Sequence, residues 1–186
     1  GEITVHPNGG GIPASVYEAS FIVGTTSIPG ILDVSKVQPG AIIVDYSFPP
    51  SFRVGEAVRR FESTNDILFT TGGELNAGQT VKETVYLPKR AKELEGHLDP
   101  RHISMLAGRD SEEITGCIIV SLLTNMAKDV KATLGPVETE DVLAHYQFLA
   151  KQGFKTPRLQ MQRYFLSPSR IEKFAKQGWD ADTVKA

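Results

Sequence analysis

The chain has 186 residues, 40% hydrophobic and 23% charged, with a net charge of −2; this is the composition of an ordinary soluble globular protein, with room for one good core and a small helical annex. Lys and Arg are scattered rather than clustered, which argues against a surface for nucleic acid or anionic membrane, and no apolar run approaches the length of about 20 residues that a membrane-spanning helix needs. The single cysteine cannot form an internal disulfide, so a reducing cytoplasm is the expected compartment.

The chain opens on Gly1 rather than Met, which reads as a trimmed piece of a larger protein. Apolar runs rich in β-branched residues recur at residues 3–6, 21–25, 41–46 and 66–70, the spacing of strands joined by helical crossovers. Residues 12–19 form a weak helix behind Gly9, Gly10 and Gly11. A dinucleotide fingerprint needs spaced glycines between a strand and a firm helix, so these contiguous glycines read as a flexible connection. Asp33 and Ser35 suit a brief helical turn that Pro39 and Gly40 stop. Residues 52–61 carry Val54, Ala57, Val58 and Phe61 at helical spacing, which predicts an amphipathic helix. The pattern is that of an α/β fold with a mostly parallel sheet.

Composition changes after Gly73. Residues 74–100 are polar and irregular, with a strand expected at 84–87 and a short helix at 89–98. Helical periodicity then covers residues 111–130, opening on Asp110 and Glu113 as a capping pattern, with Ile114, Cys117, Ile118 and Leu122 on its inner stripe. A second helix spans 138–152, with Val142, Tyr146 and Leu149 inward and Gly153 as its stop. A third spans 168–177. The expected division is therefore a partial nucleotide-binding domain at 1–73 and a mainly helical region at 74–186 that packs on it.

The candidate chemistry lies at the strand tips. Buried parallel strands deliver backbone and small side chains to ligands at their carboxyl ends. Thr25, Thr26 and Ser27 stand there, where they either meet a ligand or satisfy local backbone groups. Asp45 ends the next strand and either faces ligand or caps the following turn. Gly72 and Gly73 end the fourth strand, for close ligand approach or for backbone conformation alone. Periodicity alone places Cys117 in the core, as free cysteines commonly are; a functional reading makes it a thioester-forming nucleophile. His6, His97, His102 and His145 lack metal-ligand spacing, and no metal is expected.

In this order, ASFIVGTTSIPG and VQPGAIIVDYSFPPSF resemble the fourth and fifth strands of the cyanobacterial long-chain acyl-(acyl carrier protein) reductases, relatives in fold of the shikimate-dehydrogenase-like Rossmann proteins. ILFTTGGE resembles their sixth strand, RDSEEITGCIIVSLL their nucleophile helix, and VETEDVLAHYQFLAKQGFKTPRL their C-terminal helix and exit. The resemblance runs to about residue 159, and residues 160–186 extend past it. It implies the second half of a Rossmann-type sheet followed by a C-terminal helical segment. It also implies NADP lying on Thr25, Thr26, Ser27, Asp45, Gly72 and Gly73, with Cys117 as the catalytic cysteine and an acyl thioester or acyl carrier protein as partner. Hydride transfer without a covalent intermediate, of the shikimate- or methylene-folate-dehydrogenase type, and a non-enzymatic Rossmann-derived interaction module are the alternatives.

In the usual strand order 3-2-1-4-5-6 the chain keeps the third strand and lacks the first two. Residues 3–6 are therefore expected to be displaced, disordered or paired with a second copy of the chain. The chain alone is expected to bind dinucleotide poorly and to be inactive.

Overall fold

The computed structural model of the protein describes residues 4–6, 11–82, 110–127, 130, 135–162 and 164–177. In chain order the elements are α1 (Ala14–Tyr17), β1 (Phe21–Gly24), β2 (Ile42–Asp45), α2 (Val54–Ser63), β3 (Leu68–Thr71), β4 (Glu74–Lys82), β5 (Asp110–Thr115), α3 (Gly116–Met126), α4 (Thr139–Lys151), β6 (Gln160–Met161), β7 (Tyr164–Phe165) and α5 (Pro168–Lys176). The strand expected at 84–87 and the helix at 89–98 lie outside the described residues, as do His97 and His102. The chain divides into two compact units: Gly1–Gly72 with Arg158–Ala186, and Gly73–Pro157. The described residues 158–162 and 164–177 thus group with the sheet.

The first unit is built on a parallel three-stranded sheet in the order β1-β2-β3. Ile22 stands opposite Ile43, and Ile43 opposite Phe69, and all three are buried. This row packs with Ala57 and Phe61 of α2 and with Leu32, Val34, Val37 and Phe52 in one apolar cluster. Phe69 takes the edges of two rings, Phe52 at 6.0 Å and Phe61 at 6.1 Å between centroids; such tilted ring pairs stabilise beyond their buried area. β1 is the open edge of the sheet, and its Phe21 and Val23 are exposed. Of the expected first strand, residues 4–6 form no strand and are exposed.

α2 stops where its last turn meets Asn65. That residue takes the left-handed conformation at φ 54°, which Asn tolerates better than most side chains, and its N–H returns to Phe61 O at 3.1 Å. Asn65 is buried, and its Nδ2 donates to Arg170 O at 3.0 Å. The C-terminal segment is therefore seated on the end of α2. Tyr164 stacks on Phe69 at 6.2 Å and hydrogen-bonds Glu62, and burial together with that carboxylate pushes its phenol up to about 12. Thr70 Oγ1 accepts the Gln160 N–H at 3.2 Å, while Met161, Leu166 and Phe174 enter the same core.

In the second unit β4 pairs antiparallel with β5, with Glu74 opposite Thr115 and Leu75 opposite Ile114. Residues 111–115, read from periodicity as the start of a helix, are strand, and the helix begins only at Gly116. Ile114 and Thr115 are β-branched and suit a ladder, so what looked like a capping pattern is a pair of strand residues. Cys117 and Ile118 are exposed, not inward, and the buried residue of that turn is Ile119. α4 has no buried residue; Val142 and Tyr146, expected inward, are exposed.

One polar clamp joins three pieces of the first unit. Arg60 Nε and Nη2 donate to the two carboxylate oxygens of Asp66 at 2.9 and 2.7 Å. Its Nη1 donates to the carbonyls of Val34 and Val37. Partial burial alone raises the Asp66 pKa, but the Arg60 and Thr64 hydrogen bonds and the Arg60 charge outweigh it and hold it below the ordinary 3.8. A carboxyl depressed in the folded state stabilises above its unfolded pKa and loses that contribution as pH falls through the folded value. Asp66→Asn should therefore cost roughly 1–3 kcal/mol at pH 7. The gap to wild type should narrow in urea unfolding curves taken below pH 4; an equal gap at both pH values would contradict the clamp.

Candidate functional site

The carboxyl ends of β1, β2 and β3 form one rim of the first unit, because parallel strands in register end together. The ladder runs on past the strands: Tyr46 N–H donates to Gly24 O at 2.7 Å, and Gly72 N–H to Asp45 O at 2.8 Å. Thr25 and Ser27 are exposed on this rim and Thr26 is half-buried.

Asp45 is 1% exposed, so its carboxylate faces protein. Oδ1 accepts the Ser47 N–H at 3.0 Å, and Oδ2 accepts the Ser51 N–H at 2.6 Å. Of the two roles open to it from the sequence, the turn-capping one is the arrangement seen. Both bonds are charge-assisted and stronger than neutral ones, and they gather residues 46–51 over the end of β2. Gly24 gives the carboxylate its space: a Cβ there would lie 2.4 Å from Asp45 Oδ1 and 2.9 Å from Ser51 Oγ. Ser51 Oγ is buried and has no hydrogen-bond partner among the described residues.

The two tips are tied to each other. Thr26 N–H donates to Ser47 Oγ at 2.9 Å, and Ile28 N–H donates to Thr26 Oγ1 at 3.1 Å. Ser47 was not among the residues picked out as site candidates, although the spacing Asp45-x-Ser47 is a recognisable side-chain-to-backbone turn.

The two glycines after β3 have different reasons. A Cβ on Gly72 would press to 3.1 Å from Val44 Cγ1, so packing against β2 accounts for it. Gly73 has φ 74°, which favours glycine, and its carbonyl accepts the Gly116 N–H at 2.6 Å. Gly116 must itself be small, because a Cβ there would stand 3.0 Å from Gly73 O. Cys117, a free and exposed thiol, is the next residue and the second of α3.

No family model, curated protein or solved structure matches this chain. The site stands on geometry alone. Among the described residues no group of three His, Cys, Asp or Glu could hold a metal ion, and no helix is long and apolar enough to cross a membrane. A cavity of about 580 Å³ in the first unit is lined by Leu32, Asp33, Ser35, Arg53, Glu56 and Arg59, among others, and includes none of the rim residues. His145 Nδ1 lies 2.7 Å from Asp141 O on its own helix, and His6 Nε2 lies 3.4 Å from Ser15 Oγ.

The Gly24 contact separates two glycine substitutions by sign. Gly24→Ala must displace a buried, bonded carboxylate and should destabilise by roughly 2–3 kcal/mol. Gly55→Ala, in α2 with only Arg59 Nη1 at 3.9 Å, should stabilise by a few tenths to about 1 kcal/mol. Denaturant midpoints of the two variants check this; a neutral Gly24→Ala would mean that Asp45 is not held where described.

Proposed function

We propose that the chain is part of an NADP-dependent reductase that converts a fatty acyl thioester, carried by acyl carrier protein or a similar thiol, to an aldehyde through Cys117. The observation that carries this reading is the hydrogen bond from Gly116 N–H to Gly73 O. It fastens the backbone beside the exposed Cys117 thiol to Gly73, within the second unit. A nucleophile needs an accessible sulfur on a fixed backbone, and this bond supplies the second condition. The parallel order β1-β2-β3 supports the finer fold reading, the second half of a Rossmann-type sheet.

The residues fit the cofactor in part. Thr25 and Ser27 are exposed hydroxyls at the strand ends of the first unit, as a nicotinamide ribose or ring requires. Asp45 is buried and holds the Ser47 and Ser51 backbone instead. Cys117 Sγ attacks the thioester carbonyl carbon, the C–S bond to the carrier breaks, and the carrier sulfur leaves to take up a proton. NADPH, when bound, supplies the hydride that turns the resulting acyl group into aldehyde. The Cys117 sulfur is the leaving group of that second step and returns to its starting form.

Incubating the chain with an acyl-pantetheine thioester should add one acyl mass to wild type and none to Cys117→Ser, read by intact mass spectrometry. An acyl adduct that persists in Cys117→Ser contradicts the covalent route. So does unchanged aldehyde formation when Cys117→Ser is made in the full-length parent protein, which would favour direct hydride transfer of the shikimate- or methylene-folate-dehydrogenase type.

A further inference from the structure

The rim joining β1 and β2 has a donor chemistry of its own. A hydroxyl oxygen can accept hydrogen bonds while its proton remains free to donate one. Ser47 Oγ accepts from Thr26 N–H, and Thr26 Oγ1 accepts from Ile28 N–H. In the hydrogen bonds among the described residues neither hydroxyl proton has an acceptor, and neither residue is fully buried. The backbone N–H groups of Thr26, Ser47 and Ile28 are already committed. Beside the exposed hydroxyls of Thr25 and Ser27, this bonded pair therefore offers two O–H protons whose oxygens are already fixed in place.

Charge decides which oxygen they suit. Residues 24–27 and 45–48 contain no Lys, Arg or His. Their one charged group is Asp45, a buried carboxylate behind Ser47. A phosphate or carboxylate would meet a like charge and no cation there, which is unfavourable. A neutral carbonyl oxygen meets two neutral donors and no repulsion.

We propose that Thr26 and Ser47 are a ligand-binding pair that donates to a neutral amide-type carbonyl oxygen. On the reduction reading above, on which this assignment of the occupant rests, that oxygen is the nicotinamide carboxamide of the cofactor. Ser47 is thereby a binding residue in its own right. Asp45 is a positioning residue that holds the Ser47 backbone so that its hydroxyl meets Thr26.

The test uses the 186-residue chain and reduced nicotinamide mononucleotide, the half of the cofactor that carries the ring. Its thioamide analogue, in which sulfur replaces the carboxamide oxygen and accepts hydrogen bonds poorly, is the control. Amide chemical shifts followed by NMR at millimolar ligand should show wild type preferring the oxygen compound about three- to tenfold, the loss expected for one or two neutral hydrogen bonds. Ser47→Ala should reduce that preference by weakening only the oxygen compound, Thr26→Val should do the same, and the double variant should abolish it. Equal weakening of both compounds, or a preference kept in the double variant, overturns the proposal. So does the absence of any shift at Thr26 and Ser47 with either compound. That last result leaves the thioester reading standing if Cys117 is still acylated, so the two can fail separately.

Discussion

The first unit depends on one buried carboxylate. Asp45 ends β2 with its side chain turned inward, where it accepts N–H groups from Ser47 and Ser51. Taking a carboxylate out of water costs several kcal/mol unless hydrogen bonds replace the lost hydration. The replacement here comes from the backbone of the loop that leads into α2, so the loop cannot leave without stripping both of these bonds from the carboxylate. Gly24 on the neighbouring strand has no side chain because the carboxylate occupies that space, and through Ser47 the same anchor sets the backbone of Thr26. One acid thus links two strand ends, one loop and the start of a helix.

The opposite flank of the sheet is closed by different means. β6 and β7 are strands of only two residues each, too short to hold by ladder bonds. Side chains hold them instead: Tyr164 on Phe69, Arg170 on Glu62 at 3.0 Å, and Asn65 on the Arg170 carbonyl. These contacts make residues 158–177 part of the first unit's core, although more than 80 residues of chain separate Gly72 from Arg158. Among the described residues the β1 flank has no such cover, and Phe21 and Val23 are exposed there, an apolar edge of the kind that invites pairing.

The parts that could be read from the sequence are those in which one local signal dominates. The runs at 21–25, 41–46 and 66–70 appear as β1, β2 and β3, because short β-branched stretches bounded by glycine and proline have few other uses. The amphipathic stripe of Val54, Ala57, Val58 and Phe61 appears as α2. Residues 111–115 misled because Ile114, Cys117 and Ile118 repeat at helical spacing, while the pairing of Ile114 with Leu75 lies 39 positions away. The two-residue strands left no periodicity to read. Asp45 was open between two roles because nothing in the local string says whether a strand-end acid turns in or out; the bare Cα of Gly24 beside it across the sheet is the clue, and it becomes visible only once the register is known. The bond between Ser47 and Thr26 is not legible locally because the two lie 21 residues apart.

On this account, the rim is a preformed platform with neutral hydroxyl donors, and the Gly73–Gly116 approach sets the start of the cysteine-bearing helix in the second unit. Both rest on backbone held by specific bonds rather than on side-chain bulk, and that is how small rim residues can be kept in place for a ligand. The Asp45 bonds are the central claim. Their most direct test is NMR detection of scalar coupling across the hydrogen bonds in the 13C,15N-labelled chain. Correlations from the Ser47 and Ser51 amide nitrogens to the Asp45 carboxylate carbon are the predicted result. Missing correlations, together with rapid solvent exchange of those two amides, would contradict it.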